Sequence, residues 1–191
     1  RPLVELGAEA RLDVGAEGSE VFEGSRRSCL EHGLAHEVLT GRALRGRFPA
    51  WRIGDDAAAV LQPDGGFLRP EACILAHAAR ARESGAQVHE GETLRQWETT
   101  PGGVRVRTNL GVYEAAQLVL TAGAWTGALL PGLASVMQPE RQVLGWFGVT
   151  DHAAFAPSRF PVFVHDAVEG RYYGFPEFET RNTGLVGLRN I

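Results

Sequence analysis

Lysine is missing from this sequence: all 19 cationic side chains among its 191 residues are arginine. Lysine is ordinarily one of the commoner residues, and a nucleotide bias in the coding sequence is the plain explanation. Whatever its cause, the absence has a chemical consequence. The segment forms no lysine Schiff base and offers no Walker-type lysine to a phosphate, so pyridoxal enzymes, class I aldolases and P-loop NTPases would need a lysine from elsewhere. Cysteine is nearly missing too. Cys29 and Cys73 make no disulfide framework, and a reducing, cytoplasmic setting is the expectation. No apolar run approaches the roughly 18 residues of a membrane-spanning helix, and no basic stretch leading into an apolar one marks a signal peptide. The arginines are scattered and the net charge is −4, which argues against nucleic acid as the main partner. No G-x-S-x-G elbow presents a hydrolase serine. The first residue is Arg1, so a segment upstream of it is expected.

What is present reads as globular protein. Hydrophobic residues make up 44% and charged residues 22%, and the length suits one domain or two closely packed half-domains. Residues 3–14 alternate loosely as one or two strands broken at Gly7. Ser19 is placed to cap a helix running to about Leu30 and stopped by Gly33, and Thr40 a second, short one ended by Phe48-Pro49. Residues 57–61 are a short apolar run before a strong turn signal, Gln62-Pro63-Asp64-Gly65-Gly66. Pro70 and Glu71 suit the first turn of a helix that ends at Gly85. Residues 86–88 read as a strand, 93–98 and 104–108 as a hairpin across Pro101-Gly102-Gly103, and 117–121 as a short buried strand. A helix is expected from about Trp125 to before Pro131. Beyond Pro139 the pattern changes to strands at 142–149, 160–165, 171–175 and 184–188, with no helical period, which predicts an antiparallel sheet.

Few residue groups suggest chemistry by themselves. Cys29, His32 and His36 have metal-like spacing, but Gly33 falls between the histidines, and zinc would want a further ligand or open position that the sequence does not show; no metal site is expected. His89, His152 and His165 are isolated. Asp55-Asp56 and Glu177/Glu179 read as solvated turn residues. The turn Leu120-Thr121-Ala122-Gly123-Ala124-Trp125 is more informative. Small residues between a strand and a helix let backbone approach a ligand, and free N–H groups at a helix start suit an anionic or polar group, although plain strand–helix packing uses the same residues.

Five motifs then occur in one order: Leu61-Gln62-Pro63-Asp64-Gly65-Gly66-Phe67, Gly85-Ala86-Gln87-Val88, Thr121-Ala122-Gly123-Ala124-Trp125, Gln138-Pro139-Glu140-Arg141-Gln142-Val143 and Tyr172-Tyr173-Gly174-Phe175-Pro176. Their order and spacing resemble the monomeric sarcosine oxidase and N-methyltryptophan oxidase family of D-amino-acid-oxidase-like flavoproteins, over essentially the whole chain and about the middle half of a family member. The resemblance implies a fold of α/β and α+β character, in which part of an FAD-binding α/β domain (67–136) is interleaved with a catalytic domain built on an antiparallel sheet (1–66 and 137–191). It implies FAD as cofactor, approached by the backbone of Glu92, Thr93 and Leu94 at the adenine and by the turn of Thr121, Ala122, Gly123 and Trp125. It implies a cavity over the flavin with Tyr173 and Val164 in its wall.

The implied activity is oxidation of a small amine or N-methyl amino acid to an imine by hydride transfer to flavin. The partners implied are a small amine and an electron acceptor, either oxygen or another; neither nucleic acid nor membrane is among them. The G-x-G-x-x-G turn, the tethering cysteine and the cations that grip a substrate carboxylate lie outside this segment in the family, so the segment alone is expected to be inactive. A lysine that promotes reaction with oxygen aligns with Val186, within one residue; Arg189 is the cation close by, and Asn190 stands near a family histidine. That substitution leaves the acceptor open. Two other readings stay beside this one: a non-catalytic segment that packs against a partner chain, and a flavin dehydrogenase acting on a hydroxy acid.

Overall fold

The computed structural model describes residues 10–177 and the backbone of Val186–Asn190. The chain divides into two compact units, one formed by Arg1–Ala76 with Gln142–Ile191, the other by His77–Arg141.

The first unit is built on a seven-stranded sheet. Its strands are β1 (Arg11–Ala16), β2 (Glu37–Thr40), β3 (Ala57–Gln62), β7 (Val143–Trp146), β8 (Val162–Ala167), β9 (Gly170–Gly174) and β10 (Val186–Asn190), in the order β2-β3-β1-β8-β9-β10-β7. Every neighbouring pair is antiparallel except β1 with β8, which is parallel. The sheet is therefore mixed where a purely antiparallel one was expected. The tail strands do pair antiparallel among themselves; β8 then joins the chain's first described strand in the same direction, a long-range pairing that local patterning does not encode.

Two helices follow from local chemistry. α1 (Glu20–Glu31) begins at Ser19, yet the Ser19 side chain caps nothing and its hydroxyl is buried without a partner. Its C-terminus is a Schellman turn: Gly33 at φ 64° lets Leu34 N–H reach the Cys29 carbonyl at 2.8 Å. α2 (Gly41–Arg47) is capped as expected, with the Thr40 hydroxyl accepting from Ala43 N–H at 3.3 Å.

The sheet's two faces are packed differently. Leu12, Val14, Leu39, Ala59 and Leu61 project to one side and form the main core with Leu44, Trp51 and Phe160. The alternate positions face the other side, where Phe22 and Cys29 of α1 pack on Val60 and Ala58. Asp13 lies on this second face, 7% exposed, and accepts two hydrogen bonds from the Arg11 guanidinium (3.0 and 2.8 Å) and one from Ser25 of α1 at 2.9 Å. Those donors are what a carboxylate needs when it leaves water.

The second unit holds a three-stranded antiparallel sheet of β4 (Leu94–Thr100), β5 (Gly103–Thr108) and β6 (Val112–Ala115), in that order. Helix α3 (Pro70–Glu83) runs into it and ends in a second Schellman turn, with Gly85 at φ 89° and Ala86 N–H donating to Ala81 at 3.0 Å. That turn takes up the start of 86–88, which form no strand. The expected buried strand at 117–121 is likewise not formed. The segment has no regular structure, and Val119 is 81% exposed; the third strand of the sheet is instead β6, whose four residues are all exposed and carry no alternating signal. The helix expected near Trp125 is one 3-10 turn, Gly123–Trp125, followed by the four-residue α4 (Thr126–Leu129). The strand expected over 142–149 shrinks to the four residues of β7, and the one expected at 184–188 appears as Val186–Asn190. The expectation for residues 3–9 lies outside the described residues.

Candidate functional site

The register across the first unit's sheet brings together the two positions expected to line a substrate cavity. Val164 on β8 stands directly opposite Tyr173 on β9, and on its other side opposite Asp13 of β1. Directly paired residues share a face, so Asp13, Val164 and Tyr173 form a row on the side of the sheet that carries α1. Val164 and Tyr173 are half-buried. Phe175 joins Tyr173 edge to face (6.0 Å, 89°), and Phe67 joins Phe175 (5.6 Å, 67°). Phe67 and Phe175 occur inside the motifs that carried the resemblance, but nothing in their spacing marked them as one aromatic group.

β10 is the next strand of the sheet after β9. Leu188 stands opposite Tyr173, Arg189 opposite Tyr172 and Asn190 opposite Arg171. Val186 pairs with Trp146 of β7, two residues along the strand from the position facing Tyr173. The three β10 residues thus lie on the strand beside the tyrosine, with Leu188 rather than Val186 directly across from it. On the opposite face, next to Val164 in the chain, His165 packs against Trp51 (ring centroids 6.0 Å apart); burial pushes its pKa below the usual histidine value, against the pull of Asp166 and Glu169.

A cleft of about 500 Å³ in this unit lies elsewhere. Arg47, Phe48, Leu61, Asp151, Arg159 and Phe160 are among its lining residues, and none of the expected site residues is. It opens on the Leu61 and Phe160 side of the sheet, away from the Val164 and Tyr173 row.

In the second unit the turn of Thr121, Ala122, Gly123 and Trp125 is open. Gly123 has φ 54°, with no atom within 4 Å of where a Cβ would stand, and Trp125 is 74% exposed. The Trp97 indole N–H of β4 donates to Leu129 O at 3.0 Å, tying α4, and with it the end of this turn, to the sheet. A four-residue helix has too short a dipole to make an anion site, so the expected attraction at the helix start is not built here. Thr93 and Leu94 lie where the chain enters β4, an edge strand. Thr93 N–H is engaged by the Asn109 side chain at 2.6 Å, and Thr93 O accepts from Asn109 N–H at 3.1 Å. A bare turn, an exposed indole and an edge strand are features a flat, extended dinucleotide can lie against, so these residues fit an FAD; Thr93 N–H is the exception, being already bonded.

Cys29 is buried in the α1 packing, His32 closes that helix, and His36 Nδ1 lies 2.9 Å from Leu34 O. Among the described residues no group of three or more His, Cys, Asp or Glu is placed to hold a metal ion. Nor is any helix there long and apolar enough to cross a membrane.

The chain thus combines a mixed sheet, with Asp13, Val164 and Tyr173 in a row on one face, and a smaller three-stranded sheet unit that carries an open small-residue turn. Residues 9–187 match the family described as FAD dependent oxidoreductase (DAO), and the chain belongs to that family. It is 36% identical to monomeric sarcosine oxidase of Streptomyces avermitilis over 173 residues, which cover 90% of this chain and 45% of that protein. It is 32% identical to N-methyl-L-tryptophan oxidase of Salmonella typhimurium over 166 residues, 86% of this chain and 44% of the relative. Among solved structures, the open form of an amino acid oxidase essential for nikkomycin biosynthesis superposes with a TM-score of 0.71 at 21% identity, over 99% of this chain and 49% of that one. L-proline dehydrogenase from P. horikoshii gives 0.70 at 17% identity, over 96% and 49%. At those identities the structures speak for the fold. The chain spans about half the length of the curated relatives it matches.

Proposed function

We propose that the whole protein oxidises a small secondary or primary amine, of the sarcosine or N-methyl amino acid kind, with FAD as cofactor. The observation that carries this reading is the 36% identity to monomeric sarcosine oxidase across 90% of the chain. The pairing of Val164 with Tyr173 supports it, because it sets an apolar wall beside a phenol on one sheet face. In this reading residues 1–66 and 137–191 belong to the substrate domain and 67–136 to the FAD-binding domain. Tyr173 and Val164 hold the amine's carbon in place, Phe175 and Phe67 brace Tyr173, and Val186, Arg189 and Asn190 lie on the neighbouring strand. Thr121, Ala122, Gly123 and Trp125 lie along the cofactor, with Thr93 and Leu94 near its adenine. When bound, FAD supplies the acceptor for the hydride that leaves the amine's carbon. The protein's part is positioning, which is worth most when the reacting atoms are held close and aligned. The electron acceptor that follows is oxygen or another oxidant.

The test uses the full-length protein reconstituted with FAD under anaerobic conditions. Sarcosine or another N-methyl amino acid is expected to bleach the visible flavin spectrum, and a hydroxy acid such as lactate to leave it unchanged. Bleaching by the hydroxy acid alone would move the protein to the dehydrogenase reading. No bleaching by any of a panel of primary and N-methyl amino acids would remove the amine reading.

A further inference from the structure

The carboxylate of Glu92 is an anomaly in its surroundings. The small sheet is largely exposed, yet the Glu92 side chain is only 6% exposed. It accepts from the Thr108 hydroxyl at the end of β5. It accepts from the Tyr113 hydroxyl of β6 at 2.9 and 3.1 Å, and His89 Nδ1 of the preceding loop is 3.0 Å away. The Thr108 hydroxyl holds its carboxyl below the usual glutamate range, with Tyr113 and His89 adding to the effect against the opposing cost of burial. Glu92 is therefore an anion at neutral pH and acts purely as an acceptor.

The next residue is fixed to the same turn. Thr108 Oγ1 also accepts from Leu110 N–H (3.1 Å) and Gly111 N–H (2.9 Å), shaping residues 108–111; the Asn109 within that turn makes both hydrogen bonds to Thr93. Two consecutive residues, one by side chain and one by backbone, are thus tied to one turn just before β4. Immediately afterwards the β4–β5 register shifts between Leu94 and Gln96. Irregularities of this kind re-aim a strand and cluster beside functional sites.

We infer that Glu92 is a positioning residue, a latch that fixes the strand entrance at Thr93, and through it the backbone of Leu94, for the adenine end of the cofactor. This rests on the reading of the second unit as part of an FAD-binding domain. The latch touches neither the flavin ring nor the substrate; it acts through the strand entrance that it holds.

The test titrates full-length apoprotein with ADP and, separately, with FMN, by calorimetry. ADP carries the adenine without the flavin ring, and FMN the ring without the adenine. Wild type is expected to bind both. Glu92→Ala is expected to raise the Kd for ADP about tenfold, the scale of one well-placed hydrogen bond to an ionised group, with the Kd for FMN unchanged. Glu92→Gln keeps a carbonyl oxygen where Thr108 and Tyr113 donate, so it is expected to restore ADP binding to near the wild-type value. If Glu92→Ala does not accumulate as folded protein, Tyr113→Phe carries the test: losing one donor, it should weaken ADP by about threefold with FMN unaffected. Equal losses for ADP and FMN, no loss for ADP, or a Glu92→Gln protein as weak as Glu92→Ala would each overturn the latch. Wild type binding neither probe would overturn the flavin reading itself, and the latch with it.

Discussion

Replacing Trp51 with Ala will destabilise the protein by about 3–5 kcal/mol, the usual cost of emptying a large aromatic site in a packed core. Trp51 is 8% exposed and is the hub of the main core. Its ring stacks on Phe160 (5.7 Å, 11°) and meets Phe163 (4.9 Å, 77°) and His165 (6.0 Å, 80°) edge to face; Phe160 in turn touches Phe155 at 5.0 Å. Aromatic pairs of this geometry contribute about 0.5–1.5 kcal/mol each beyond the area they bury. The indole N–H has no hydrogen-bond partner, so Trp51→Phe forfeits volume but no polar contact and should cost less than half as much. The consequence reaches the site, because Phe163 and His165 flank Val164 on β8, and loosening their packing loosens the strand that carries the proposed cavity wall. Urea denaturation of the full-length variants measures both values from the shift in midpoint. A Trp51→Ala loss below about 1 kcal/mol, the range of a surface change, would mean that this cluster does not anchor the sheet.

The second large effect concerns the electron acceptor. Introducing a cation by Val186→Lys is expected to speed reoxidation of the reduced full-length protein by oxygen by about a hundredfold. A positive charge aimed where negative charge develops is commonly worth two to three orders of magnitude in rate. The site is chosen from the resemblance: this chain carries no lysine at all, and β10 runs beside the strand of Tyr173. Register places Val186 opposite Trp146 and Leu188 opposite Tyr173, so Leu188→Lys is the natural companion variant. Stopped-flow mixing of the photoreduced protein with oxygenated buffer gives the rate. A rise in the Val186 variant supports a parent that has shifted away from oxygen; unchanged rates in both variants would show that a cation at this strand does not govern the reaction.

The elements that could be read from sequence are those whose signals are local. Thr40, Gly33 and Gly85 mark helix ends by side-chain or backbone chemistry within one turn, and Pro101-Gly102-Gly103 marks a hairpin; each is found where its residues require it. Pairing is different, because a strand needs a partner that the run itself does not name. Residues 117–121 have the composition of a buried strand but pair with no strand among the described residues, whereas Val112–Ala115 has no such pattern and is held in place by β5. The parallel pairing of β1 with β8 joins residues about 150 positions apart, far beyond the reach of periodicity.

The candidate site divides the same way. Tyr173 and Val164 came from motif resemblance, and only register showed that they face each other. Glu92 lay in the segment that the resemblance set at the adenine, but the burial of its side chain, that of Asp13 and the donors around each carried no signal in sequence, because scattered Glu, Asp, Thr and Tyr look like ordinary surface until the fold collects their hydrogen bonds around a carboxylate.

Central to this account is that the chain is part of a protein that holds FAD. The most direct measurement is the flavin content of the purified full-length protein, by visible spectrum and by release on denaturation or digestion. The account predicts one FAD per chain, whether freed or retained on the polypeptide. A full-length, folded protein that carries no flavin and takes up none when FAD is supplied would contradict it.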